Sequence, residues 1–229
     1  MTIKAILFDL DDSLLHTSWS GKRRVRLAYK CLAAHHPNLT WREFKAAVTT
    51  IEPAHGFWQG IAPALKDLGL EHSPASEEAI GFWTYASCPE LLRPSPFVRT
   101  TLRKLSRSFR FGVVTNGDGA VQRRKFDGLH LAEDFHAFIA SEDVGSKKPE
   151  PEIFRAALIA LSAEPQATVF VGDSLDADIA GAQNAGMKAI WYNPSSLEPG
   201  THVTPDATIQ RFSGLPGVIC RIAGGSSLR

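Results

Sequence analysis

Five short runs of the chain are almost continuously apolar: Ile3 to Phe8, Phe109 to Val114, Phe135 to Ala140, Thr168 to Val171 and Ala189 to Tyr192. They are rich in β-branched and aromatic residues and end in polar or glycine clusters, the pattern of strands covered on both faces. Between them apolar residues recur at helical spacing, in Pro96 to Leu105, Ala120 to Phe126, Pro151 to Leu161 and Ala177 to Ala185. The third of these opens with proline, which suits a first helical turn. Strand and helix in alternation predict an α/β fold, a three-layer, Rossmann-like parallel sheet with right-handed crossovers.

One stretch breaks the rhythm. From Thr17 to Arg93 there is no convincing strand, only helix-like segments around Arg23 to His35, Trp41 to Ile51, Trp58 to Leu70 and Ser76 to Tyr85. This predicts a helical cap inserted after the first strand, so that residues 1–16 and 94–229 form the α/β core domain and 17–93 the cap. No internal repeat is visible, and the terminal Gly-Gly-Ser-Ser-Leu-Arg reads as a frayed tail.

Composition narrows the classes. With 44% hydrophobic and 21% charged residues the chain is neither disordered nor fibrous nor a disulfide mini-protein. Lys and Arg number 25 against 24 Asp and Glu, so no global charge draws it to nucleic acid or an anionic membrane. Cys31, Cys88 and Cys220 lie far apart without ligand spacing, which suits a reducing compartment. The apolar start is too short for a signal segment, and no run reaches the length of a membrane span; the expectation is a soluble, cytoplasmic protein.

The candidate chemistry sits where the strands end. The first runs into Asp9-Leu10-Asp11-Asp12-Ser13, and side chains two apart on extended backbone point the same way, so Asp9 and Asp11 can converge beyond its carboxyl end. The second ends in Thr115-Asn116-Gly117, a hydroxyl and loop N–H groups suited to a phosphate-sized anion. The third leads to Lys148 before Pro149, and the fourth to Gly172-Asp173 with Asp178 on the next turn. Taken singly these are ordinary turns, helix caps and a surface lysine. Together they place several carboxylates, a lysine and an anion loop at one edge of one sheet. Carboxylates a few ångströms apart repel by about 4 kcal/mol at an effective dielectric near 20, so the cluster calls for a cation, and oxygen-only ligands select Mg²⁺.

These four motifs, in this order, resemble those of the haloacid dehalogenase superfamily, in its subgroup with a helical cap between the first two motifs. Ser13 stands where a threonine is more usual and keeps the hydroxyl. The resemblance implies an aspartyl-phosphate mechanism: Asp9 as nucleophile, Asp11 as acid and then base, and Lys148 offsetting charge on Asp9 and the phosphoryl group. It further implies phosphoryl oxygens held at Thr115, Asn116 and Gly117. Mg²⁺ would be held by the Asp9 carboxylate, the Asp11 carbonyl and Asp173, with Asp178 beside them. The expected activity is hydrolysis of a small phosphorylated metabolite beneath a mobile cap that excludes water. The stretch from Val114 to Gly119 with Gln122 and Lys125 resembles phosphatases of nucleoside monophosphates or of sialic acid 9-phosphate.

Rival readings remain. A dehalogenase shares the nucleophile but lacks the second aspartate, and a phosphomutase shares both aspartates and the cap. A receiver-type signalling domain would be about half as long, with its acceptor on a middle strand. A dinucleotide site at Gly117-Asp118-Gly119 has Gln122 where a third glycine belongs. In the cap, Gly21 to Arg26 reads as a solvated helix face rather than a contact for an anionic substrate, Trp19, Trp41, Trp58 and Trp83 as the cap's own core rather than an apolar substrate wall, and His35, His36 and His55 as surface positions.

Overall fold

A computed structural model describes residues 2–49, the backbone of 50–55, and residues 61–200 and 202–224. Trp58, the start of the helix expected from it, the His55 side chain and the tail beyond Gly224 lie outside the described residues. The chain divides into two compact units, Met1–His16 with Arg93–Arg229, and Thr17–Leu92.

The first unit is built on six parallel strands, β1 (Ala5–Phe8), β2 (Arg110–Thr115), β3 (Ala137–Ala140), β4 (Thr168–Gly172), β5 (Lys188–Tyr192) and β6 (Ala207–Ile209). Their order is β3-β2-β1-β4-β5-β6. The chain thus moves outward from β1 to β3, then returns to the other side of β1 for β4, which makes the gap between β1 and β4 the switch point at which open sheets bind ligands.

Burial on both faces explains the continuous apolar runs. Ala5 and Leu7 point to one face, in a cluster with Ile153, Phe154, Ala157 and Leu161 of the helix Pro151–Leu161 and with Phe170. Phe8 points to the other, where its ring lies 5.7 Å from Phe111, 5.9 Å from Phe135 and 6.4 Å from Phe212. Register sets the edge level: Phe8 pairs with Val113 of β2 and Val171 of β4, so Asp9 emerges beside the ends of both neighbours.

Among the described residues, β6 and the helices Ser141–Val144 and Leu215–Ile222 lie outside the expected elements. β6 is a three-residue edge strand between polar segments, too short to show a period; Asp206 ties it to β5 by accepting from the Ala189 N–H at 2.9 Å. The helices Ser141–Val144 and Leu215–Ile222 are likewise short. The run expected from Phe135 becomes a strand only at Ala137, Phe135 serving instead as a core ring against Phe126.

In the second unit the described residues form the helices Thr17–His35, Trp41–His55, Ala62–Asp67 and Pro74–Trp83 and no strand. Thr40 and Glu43 form a reciprocal cap before the second helix, Glu43 accepting from the Thr40 hydroxyl at 2.7 Å and from its N–H at 2.9 Å, which together hold its carboxyl below the usual range. Ala28, Leu32, Phe44, Leu65 and Ala79 make the core, with Tyr29, Trp41 and Trp83 packed against it. Two cap expectations are corrected. Trp19 is 51% exposed and lies outside that core. Arg24 leaves the solvated run of Lys22, Arg23 and Arg26 because helical spacing puts it on the buried face with Ser20 and Ala28. Its guanidinium donates to the Trp83 carbonyl at 2.5 Å, at the negative end of the helix Pro74–Trp83, and lies 4.1 Å from the Tyr85 ring centre.

Candidate active site

At the switch point the ends of β1 and β4 bring Asp9, Asp173 and Asp178 together, each presenting a carboxylate oxygen within 4.8 Å of the others. Asp178 is placed by local chemistry. A π-helical turn, Leu175–Ala180, follows β4; the Ser174 hydroxyl accepts from the Ala177 N–H at 3.1 Å, and Asp178 Oδ2 returns the cap by accepting from the Ser174 N–H at 3.0 Å. Its other oxygen, Oδ1, is left for Lys148 at 2.7 Å. Gly172 permits this turn, because a Cβ there would run into the Asp178 carboxylate.

Lys148 bridges the two sides, its Nζ 2.5 Å from Asp9 Oδ1 as well as beside Asp178, with the residue only 5% exposed. The surface-lysine reading is excluded. Its backbone is clamped by the Asn116 amide, which accepts from the Lys148 N–H at 2.9 Å and donates to the Lys148 carbonyl at 3.2 Å; the bond to Pro149 is cis. The next residue, Gly117, takes φ of +125°, where a side chain is strained, and its N–H donates to the Ser141 hydroxyl at 2.8 Å. Motifs two and three are therefore one interlocked structure.

The Asp11 carboxylate is not in the three-carboxylate cluster. It faces the helix Gly119–Gly128, where Lys125 Nζ lies 2.9 and 3.1 Å from its two oxygens and Gln122 Nε2 donates to Oδ2 at 2.9 Å. The same Gln122 nitrogen donates to Thr115 Oγ1 at 2.6 Å and to the Asn116 carbonyl at 3.1 Å. The sequence names Gln122 and Lys125 only through a resemblance, without a role in the site. The available signal was their spacing of three on a helix opening just after Thr115, which aims both side chains the same way.

Electrostatics set the cluster's needs. Burial raises the Asp9 carboxyl to about 7; Lys148 pulls it down and Asp178 pushes it further up. Asp173 is raised well above the carboxylate range by desolvation, then by Asp9 and Asp178. Lys148 is held above its ordinary range: burial acts to lower it, but attraction to Asp178 and Asp9 wins. Three carboxylates against one ammonium leave an excess of two negative charges when all are ionised. A divalent ion supplies that charge, and an all-oxygen donor set fits a hard cation.

Residues 3–186 match the family described as haloacid dehalogenase-like hydrolase, and the chain belongs to that family. A glyceraldehyde 3-phosphate phosphatase of Pyrococcus furiosus is 33% identical over 197 residues, 83% of this chain and 80% of that protein. The N-acylneuraminate-9-phosphatase of Mus musculus is 24% identical, covering 96% of this chain and 97% of its own. The pyrimidine 5'-nucleotidase of Escherichia coli is 27% identical, with coverages of 94% and 97%. Among solved structures, a phosphatase of Thermococcus onnurineus superposes with a TM-score of 0.77 at 27% identity, covering 98% of this chain and 99% of that one. A 2-haloacid dehalogenase of Pseudomonas syringae gives 0.73 at 33% identity, covering 96% and 99%. The protein is thus a hydrolase whose named curated relatives are phosphatases. Among the described residues no helix is long and apolar enough to cross a membrane.

Proposed function

We propose that the protein is a Mg²⁺-dependent phosphomonoesterase acting on small phosphorylated metabolites through a covalent aspartyl-phosphate at Asp9. One observation carries the reading: the two carboxylates of the first motif are held apart, each against its own lysine, and only Asp9 lies in the buried carboxylate cluster. Asp9 is buried against Lys148 and two further carboxylates, whereas Asp11 stands apart, held by Lys125 and Gln122 beside Thr115. Separate environments suit separate tasks, a nucleophile and an acid–base group.

Asp9 attacks phosphorus in line once ionised; Lys148 favours that form against burial and offsets charge on the phosphoryl oxygens. The Thr115 hydroxyl and the Asn116 N–H bind those oxygens; Gly117, expected to join them, shapes the loop instead, because its own N–H is spent on the Ser141 hydroxyl. Asp11 gives a proton to the departing oxygen, then takes one from the water that cleaves the phospho-aspartate. Asp9, Asp173 and the Asp11 carbonyl would hold Mg²⁺, with Asp178 beside them; bound there, the ion would supply positive charge that offsets the phosphoryl group and favours ionised Asp9 and Asp173.

Substrates named for the relatives set the panel: glyceraldehyde 3-phosphate, N-acylneuraminate 9-phosphate and pyrimidine 5'-monophosphates. Phosphate release with Mg²⁺, lost with a chelator and in Asp9→Asn, is the expected result; no release from any monoester refutes the reading. The dehalogenase relative motivates one rival, tested by halide release from a 2-haloacid. Asp11 weighs against it, because a departing halide needs no proton.

A further inference from the structure

We infer that Gln122 and Lys125 are positioning residues for this reaction: Gln122 joins the phosphate-binding hydroxyl of Thr115 to the carboxylate of Asp11, while Lys125 steadies Asp11 alone. The inference rests on the phosphomonoesterase reading. Gln122 is 2% exposed, and its amide nitrogen faces three acceptors, Asp11 Oδ2, Thr115 Oγ1 and the Asn116 carbonyl. Turned over, the amide would aim its oxygen at a carboxylate and a carbonyl, so its neighbours fix its orientation. Because Thr115 Oγ1 accepts from Gln122, its own hydrogen is left for donation to a phosphoryl oxygen. Two N–H groups are shared among three acceptors, and Lys125 adds a second hold on Asp11 by reaching both carboxylate oxygens. One helical turn thereby sets the distance between the anion loop and the acid–base group, a distance on which proton delivery to the departing oxygen depends.

The two side chains differ in what they touch, and that difference gives the test. Wild type, Gln122→Met and Lys125→Met are assayed with Mg²⁺ on p-nitrophenyl phosphate, whose leaving group needs little protonation, and on the alkyl monoester that wild type cleaves best. Inhibition by inorganic phosphate reads the anion loop separately. Both variants should lose about tenfold more kcat/KM on the alkyl than on the aryl ester. Only Gln122→Met should also weaken phosphate inhibition several-fold. Equal losses on the two esters, or weakened phosphate inhibition in Lys125→Met as well, overturn the inference. Should Gln122→Met fail to fold, Gln122→Asn, shorter by one methylene, carries the same comparison. Wild type releasing no phosphate from either ester instead removes the phosphomonoesterase reading, and this inference with it.

Discussion

Replacing Lys148 by methionine preserves most of the side chain's length and apolar stem while deleting its charge. In the wild type that charge lies 2.5 Å from Asp9 and 2.7 Å from Asp178, and among the described residues no other cation pairs with either carboxylate. Removing one partner of a buried pair costs about 3–5 kcal/mol, because the remaining charge is stranded. Here protonation limits the loss. Lys148 is the largest influence holding the Asp9 carboxyl down, so without it Asp9 rises further above about 7 and stays protonated at neutral pH. The stability deficit should therefore be large at pH 8 and smaller at pH 5.5, where wild-type Asp9 already carries a proton. Turnover should fall about 10²–10³-fold, as when a preorganised charge at a reacting centre is deleted. Urea titration at the two pH values with phosphate release at pH 7.5 measures both effects. A variant with wild-type kinetics, or with a deficit independent of pH, would refute the electrostatic role given to Lys148.

Other outcomes follow from the same geometry. Because the folded-state carboxyls of Asp9 and Asp173 are raised, the metal-free fold binds more protons than the unfolded chain between about pH 4 and 7, and its stability should fall as pH rises through that window. Mg²⁺ should flatten this slope and raise the melting temperature most at pH 8; a melting temperature that climbs with pH in the metal-free protein would contradict it. Gly172→Ala should drive Asp178 from its place, costing about 1–3 kcal/mol and weakening Mg²⁺ binding, read by thermal shift against metal concentration. Asn116→Ala should lower kcat more than it raises KM, since the amide's contacts run to the Lys148 backbone; a change confined to KM would argue otherwise.

The sheet was legible because β1, β2 and β4 are buried on both faces and so lose the polar alternation that blurs half-exposed strands. β6 was not, since three residues show no period and its pairing depends on Asp206 bonding across to Ala189. In the site, Asp9, Lys148, Asp173 and Asp178 were readable as groups at strand ends. The partner of Asp11 was not: the run Arg123-Arg124-Lys125 offers three adjacent cations, and only the direction of the helix after Thr115 selects Lys125. Arg24 shows the converse. Its charge reads as solvated, but its place one turn after Ser20 carries it inward to the Trp83 carbonyl.

The covalent role proposed for Asp9 is open to direct mass measurement. Protein quenched in acid during turnover with excess substrate and Mg²⁺, then digested, should yield the peptide containing Asp9 heavier by one phosphoryl group, with the signal absent in Asp9→Asn. Rapid phosphate release with that peptide never modified, or with the phosphoryl group on another residue, would contradict the account.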